Sequence, residues 1–199
     1  MTADADWGGG ASRDSGGPSQ AGGLDALIRA AGEGTGPRPV DTWNPPYCGD
    51  IGLKIRSDGV WLYQASPIGR MPIVKLFASI LRKDDDGWTY LVTPAEKIDV
   101  AVEDAPFLGV EMAVSGEGAA QVLTFRTNVD DVVTVDAAHP LRFVSQQPDG
   151  GLKPYVLVRG RLEALVTRAV YADLVALAVP RTGHSGVGVW SGGVWWEMA

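Results

Sequence analysis

Residues Ser57–Lys97 read SDGVWLYQASPIGRMPIVKLFASILRKDDDGWTYLVTPAEK. Ser57-Asp58-Gly59 is a hairpin turn, because glycine accepts the positive φ that such a turn needs. Ile51–Ile55, alternating apolar with small or polar residues, supplies the strand before it, and Val60–Tyr63 the return strand. Ser66–Arg70 is a loop, and Pro72 suits the first turn of a helix, where its missing N–H costs nothing. Ile73, Val74, Leu76, Phe77, Ile80 and Leu81 give that helix a broad apolar face. Arg82 and Lys83 are expected at its C-terminal end, where cations complement the helix dipole, with Asp84-Asp85-Asp86-Gly87 as the stop. Trp88–Thr93 and Lys97–Val102 then form a hairpin around Pro94-Ala95. The unit is strand, strand, helix, strand, strand.

A shortened version of that order is expected at the C-terminus. Tyr155–Arg159 and Leu162–Val166 are strands, Val170, Leu174, Val175, Leu177 and Ala178 mark a helix face, and Val187–Trp190 with Val194–Met198 forms a closing hairpin. Between the units, Glu103-Asp104-Ala105-Pro106 has the composition of a hinge. Strand candidates Phe107–Val114, Gln121–Arg126, Val132–Asp136 and Leu141–Ser145 follow it, which predicts an antiparallel sheet, curled or barrel-like. Residues 1–23 are rich in Gly, Ser and Asp with little apolar content and read as a disordered tail, without the basic start and apolar core of a secretory signal. Leu24, Leu27 and Ile28 mark a short helix face, and Gly32 to Gly36 a linker. The organisation expected is therefore a tail over 1–23, an N-terminal α+β domain over 24–105 and a β-rich domain with one helix over 106–199.

Composition narrows the function. The 199 residues carry a net charge of −7 and a single cysteine, Cys48. General binding to a nucleic-acid backbone is disfavoured by that charge, and an internal disulfide framework is excluded. No apolar run approaches the length of a membrane span, so the expected setting is soluble and cytoplasmic.

Catalytic groups are scarce. Cys48 with His139 or His184 could serve as nucleophile and base, but a lone cysteine is more often a small buried hydrophobe. Gly183-His184-Ser185-Gly186-Val187 departs from the nucleophile-elbow pattern at its fifth position and precedes a strand. The Asp84–Gly87 turn lacks the alternating acids of a calcium loop, and the histidines and cysteine have no metal-ligand spacing. No cofactor or metal is expected, and an enzyme is the less favoured reading. What remains is a set of arginines at loop and strand ends: Arg70, Arg126, Arg142 and Arg159. Converging, they would suit a phosphate or carboxylate through bidentate hydrogen bonds. The competing reading pairs each with a local carboxylate.

Asp58-Gly59-x-Trp61-x-Tyr63, Ser66-Pro67-Ile68-x-Arg70, Leu91-Val92-Thr93-Pro94-x-Glu96-Lys97, Val102-Glu103-Asp104-x-Pro106-Phe107, Phe125-x-Thr127-Asn128, His139-Pro140-Leu141-Arg142 and Tyr155-Val156-x-Val158-Arg159 together resemble domain-of-unknown-function family 1285, a bacterial family. The match runs from about Trp43 to Met198. The resemblance implies a duplicated, two-domain α+β protein whose C-terminal half is superficially like pleckstrin-homology folds. It also implies a ligand site, for a nucleotide-like molecule, where the halves meet, and a role in signalling. It supplies no catalytic residues. The expected site gathers Arg70, Thr93, Glu96, Lys97, Arg126, Asn128 and Arg159 around a small anion between the domains. The alternative is a protein-interaction module, with Trp190, Trp195 and Trp196 as an exposed aromatic patch for a protein partner; a hydrolase built on Cys48 or an acid pair comes last.

Overall fold

The structure, a computed structural model, describes residues 24–32, 38–146, 151–183 and 186–198. The expected tail through residue 23, most of the linker ending at Gly36 and His184 lie outside the described residues.

The N-terminal domain is a six-stranded mixed sheet with two helices. Helix α1 (Leu24–Ala31) and one 3-10 turn (Val40–Thr42) precede β1 (Tyr47–Ile55), β2 (Trp61–Tyr63) and β3 (Ser66–Pro67). Helix α2 (Met71–Ser79) leads to β4 (Leu81–Lys83), β5 (Thr89–Val92) and β6 (Lys97–Val102). The strand order is β3-β2-β1-β6-β5-β4, antiparallel except for the central β1–β6 pair, which is parallel. Pro72 sits in the first turn of α2 as expected, and α2 buries Val74, Phe77 and Ala78, with Phe77 against Trp61.

The predicted helix is too long. It ends at Ser79, and Arg82 and Lys83 lie on β4 instead of a helix end. Pairing Leu81 with Leu91 buries Leu81 completely and covers the outer edge of β5. Asp84–Gly87 then becomes a β-turn, closed by the Asp84 N–H donating to the Trp88 carbonyl and the Gly87 N–H to the Asp84 carbonyl. Arg82 donates to Asp84 and, 2.8 and 2.7 Å away, to the carbonyls of Val40 and Trp43, which fastens the incoming chain to β4.

The C-terminal domain contains β7 (Phe107–Ser115), β8 (Val122–Thr127), β9 (Val132–Thr134), β10 (Leu141–Ser145), β11 (Leu152–Arg159) and β12 (Leu162–Val166). Helix α3 (Arg168–Ala176) and a small sheet of β13 (Val179–Pro180), β14 (Val187–Ser191) and β15 (Val194–Glu197) follow. The main sheet curls into a half-barrel. It is mixed rather than antiparallel, because β7 and β12 run parallel at its centre.

Read outward from that pair, the order β9-β8-β7-β12-β11-β10 repeats β3-β2-β1-β6-β5-β4, with every pairing direction the same. The equivalence expected from element order was different. Residues 155–198 do run strand, strand, helix, strands, but β14 and β15 form a separate sheet and do not return to β11 as β6 returns to β1. The likeness lies between Tyr47–Val102 and Phe107–Val166. In the second unit no helix fills the connection before β10. The β14–β15 hairpin docks there: the buried Ser191 hydroxyl donates to the Val135 carbonyl at 2.7 Å and accepts from the Leu123 N–H at 2.9 Å.

The linker between the domains is tied to both. Glu103 accepts from the Ser57 N–H and pairs with Lys54, whereas Asp104 accepts from Lys153 and the Tyr155 hydroxyl.

Candidate ligand groove between the domains

The expected site residues fall into separate places. Arg126 forks onto Glu111, with Nε 2.8 Å from Oε2, and its third donor reaches Asp130 at 2.8 Å. Asp130 also pairs with Lys75 of α2. Arg159 joins Asp131, donates at 2.6 Å to the Ala78 carbonyl at the end of α2, and lies 4.9 Å from the centre of the Phe107 ring. Arg126 and Arg159 are thus neighbours along one seam between α2 and the C-terminal sheet, each held by carboxylates. Arg142 is likewise held, by Glu163. First Lys75 and then Arg126 keep the Asp130 carboxyl below its ordinary value, and Arg126 does the same for Glu111. Cations and carboxylates are matched along this seam, so an incoming anion would have to displace a carboxylate.

Asn128 is a structural fastener. Its Oδ1 accepts from the Leu108 N–H, and its Nδ2 lies close to Gly59, where an added Cβ would stand 2.9 Å away. Gly59 has φ +80°, so the β1–β2 turn needs glycine both for its backbone and for its approach to Leu108 and Asn128. Thr93 is buried and accepts the N–H groups of Ala95 and Glu96, shaping the β5–β6 turn. Lys97 pairs with Asp84 and lies over the Tyr90 ring. Glu96 Oε2 is buried without a hydrogen-bond partner. Arg70 is exposed in a separate small cleft with Tyr63, Pro67, Ile68 and Ile73.

Cys48 is half-buried and its Sγ faces the Pro46 carbonyl at 3.5 Å, whereas the His139 ring bonds to Asp136. The tryptophans form no exposed patch: Trp195 is buried, Trp190 and Trp196 are half-buried, and the Arg181 guanidinium covers Trp190 and Trp195. Ring burial is what the end of a closing hairpin demands. Among the described residues no helix is long and apolar enough to cross a membrane.

A concavity of about 920 Å³ lies elsewhere on the domain junction. Its N-terminal wall is the β1–β2 turn, Ser57 and Asp58; its C-terminal wall is Leu108, the start of β11, the end of β12 and the exposed side of α3. None of the expected site residues lines it. Leu152, Pro154, Leu165, Ala172 and Val175 make it chiefly apolar, with Tyr171 at its side. Asp58 is paired with Arg56, and Lys153 with Asp104. Arg168, the first residue of α3, is exposed at the groove and has no ion-pair or hydrogen-bond partner among the described residues. Thr167 makes no side-chain cap and the first turn holds no acid, so a cation stands at the positive end of a helix dipole. That misplaced charge was a signal present in the sequence, at Thr167-Arg168 ahead of the Val170/Leu174 helix face, and reasoning from strand-end arginines passed over it.

Fold and junction together define a two-domain α+β protein whose two six-stranded sheets share one topology, with a concave groove where the domains meet. The chain belongs to the DUF1285 family: the family's N-terminal domain of unknown function matches residues 38–105, and its C-terminal domain matches residues 106–198. A DUF1285 family protein from Silicibacter pomeroyi DSS-3 is 41% identical, with a TM-score of 0.80 over 86% of this chain and 93% of that one. Another from Shewanella baltica OS155 is 27% identical over 63% of this chain and 91% of that one, with a TM-score of 0.49. No curated protein matches the chain.

Proposed function

We propose that this is a cytoplasmic binding protein for a small anion, of the size of a nucleotide, held between the two domains. The observation that carries this reading is the interdomain groove of about 920 Å³ with Arg168, which has no partner among the described residues, at the start of α3. That volume falls within the range of small-molecule sites, roughly 300–1,000 Å³, which combine apolar walls with a few placed polar groups. A sensing role is supported by the two-sided lining: a ligand touching Ser57 and Asp58 on one domain and α3 on the other favours one relative position of the domains by its differential affinity. The shared strand order supports descent of both halves from one duplicated unit. The curled sheet with α3 against β7 is what supports a pleckstrin-homology-like description of the second half.

Thermal-shift measurements on the full chain, with panels of nucleotides and of small organic anions, test this. A ligand at 100 times its Kd adds about 2.7 kcal/mol of stability, several degrees for a chain of this size. Arg168→Glu should remove the shift. No shift from either panel, or one unchanged in Arg168→Glu, would overturn the reading.

A further inference from the structure

The polar inventory of the groove narrows the class of ligand, on the footing that the groove binds a small anion. Among the described residues three charged side chains line it: Asp58, Lys153 and Arg168. Asp58 is committed twice, to Arg56 and through Oδ1 to the Val60 N–H. Lys153 is committed to Asp104. Of these three Arg168 alone is uncommitted among the described residues, so they leave the groove one unspent positive charge. A nucleotide brings two or more phosphate charges and a base edge that needs several hydrogen bonds. Against Leu108, Leu152, Pro154, Leu165, Ala172 and Val175, with Ser57, Gln146, Thr167 and Tyr171 as the neutral polar lining, several of those groups would be desolvated without partners, which is costly.

We infer that the groove takes an amphipathic monoanion, a carboxylate on a hydrocarbon body. The guanidinium of Arg168 matches a carboxylate with two parallel hydrogen bonds. The first turn of α3 adds N–H groups that no side chain caps. From there the body runs along the apolar wall, past Ala172 and Val175, which follow Arg168 at i+4 and i+7 on one helix face. Val175 is 44% exposed, apolar surface that such a body would cover. Affinity then grows with hydrocarbon length, by about fourfold per methylene, the factor equivalent to roughly 0.8 kcal/mol per buried CH₂.

Calorimetric titration of the full chain with butanoate, hexanoate, octanoate and decanoate, below micellar concentrations, tests this beside ATP, GMP and octanol. Expected are a Kd falling about fourfold per CH₂ until the groove is filled, weak binding of octanol, and loss of octanoate in Arg168→Glu and in Ala172→Trp, a change at an exposed helix position that fills the groove. Nucleotide binding that needs Arg168, with no carboxylate binding, would overturn the ligand class and leave the groove reading standing. No binding of any probe that depends on Arg168 or Ala172 would overturn both, and so would a length ladder unchanged in the two variants, which is general partitioning.

Discussion

The seam and the groove join the same two domains and use their charges in opposite ways. Along the seam, Lys75, Arg126 and Arg159 meet Asp130, Asp131 and Glu111, and Arg159 also caps the Ala78 carbonyl at the end of α2. In the groove the walls are apolar and Arg168 lacks a partner among the described residues. The number of arginines therefore does not mark the anion site; a cation without a carboxylate beside a large apolar groove does. The seam holds the domains together, and the groove has capacity left for a ligand.

The comparison can be strained from the seam side first. Arg159→Ala removes a charged hydrogen bond to Ala78 and leaves Asp131 short of its partner, so denaturant unfolding should show a loss of about 2–3 kcal/mol. Gly59→Ala forces an unfavourable positive φ and pushes on Asn128 and Leu108, a loss of about 1–2 kcal/mol. Octanoate affinity should fall with it, because Ser57 and Asp58 of the same turn line the groove.

The Asp84 cluster supplies a pH test away from both regions. Burial alone would raise the Asp84 carboxyl, but hydrogen bonds from Arg82 and Lys97 outweigh it and hold it below its ordinary value. A depressed carboxylate stabilises the fold above the unfolded pKa of about 3.9 and loses that contribution as pH falls further, toward the folded value. Asp84→Asn should cost about 1–2 kcal/mol at pH 7 by chemical denaturation, a deficit that shrinks below about pH 4. Smallest of all, Arg126→Ala breaks two exposed ion pairs, to Glu111 and to Asp130, and should lower stability least of the four. If Arg126→Ala proved more damaging than Arg159→Ala, the division of the seam into a half-buried pin at Arg159 and an exposed rim at Arg126 would fail.

Local chemistry made much of the fold legible. The Asp58-Gly59 turn, Pro72 at the helix start and the Pro94-Ala95 hairpin each read directly, as did strand Leu141–Ser145. The parallel pairs β1–β6 and β7–β12 did not, because they join strands far apart in the chain and no local periodicity encodes them. The same blindness misaligned the repeat, since element order along the chain was visible and sheet order was not. Leu81–Lys83 read as helix because Ile80 and Leu81 extend the apolar face of α2, and only the pairing with β5 decides otherwise. For the site, the arginines were legible and their partners were not. Asp130 and Asp131 carry no local pattern that names the arginines they hold, and the groove is assembled from four segments separated along the sequence.

Titration of octanoate into the wild-type chain, Arg168→Glu and Arg126→Ala addresses the division of labour most directly. Binding should be lost in Arg168→Glu and kept in Arg126→Ala. Octanoate binding that survives Arg168→Glu and disappears in Arg126→Ala would contradict the account, and would return the anion site to the seam.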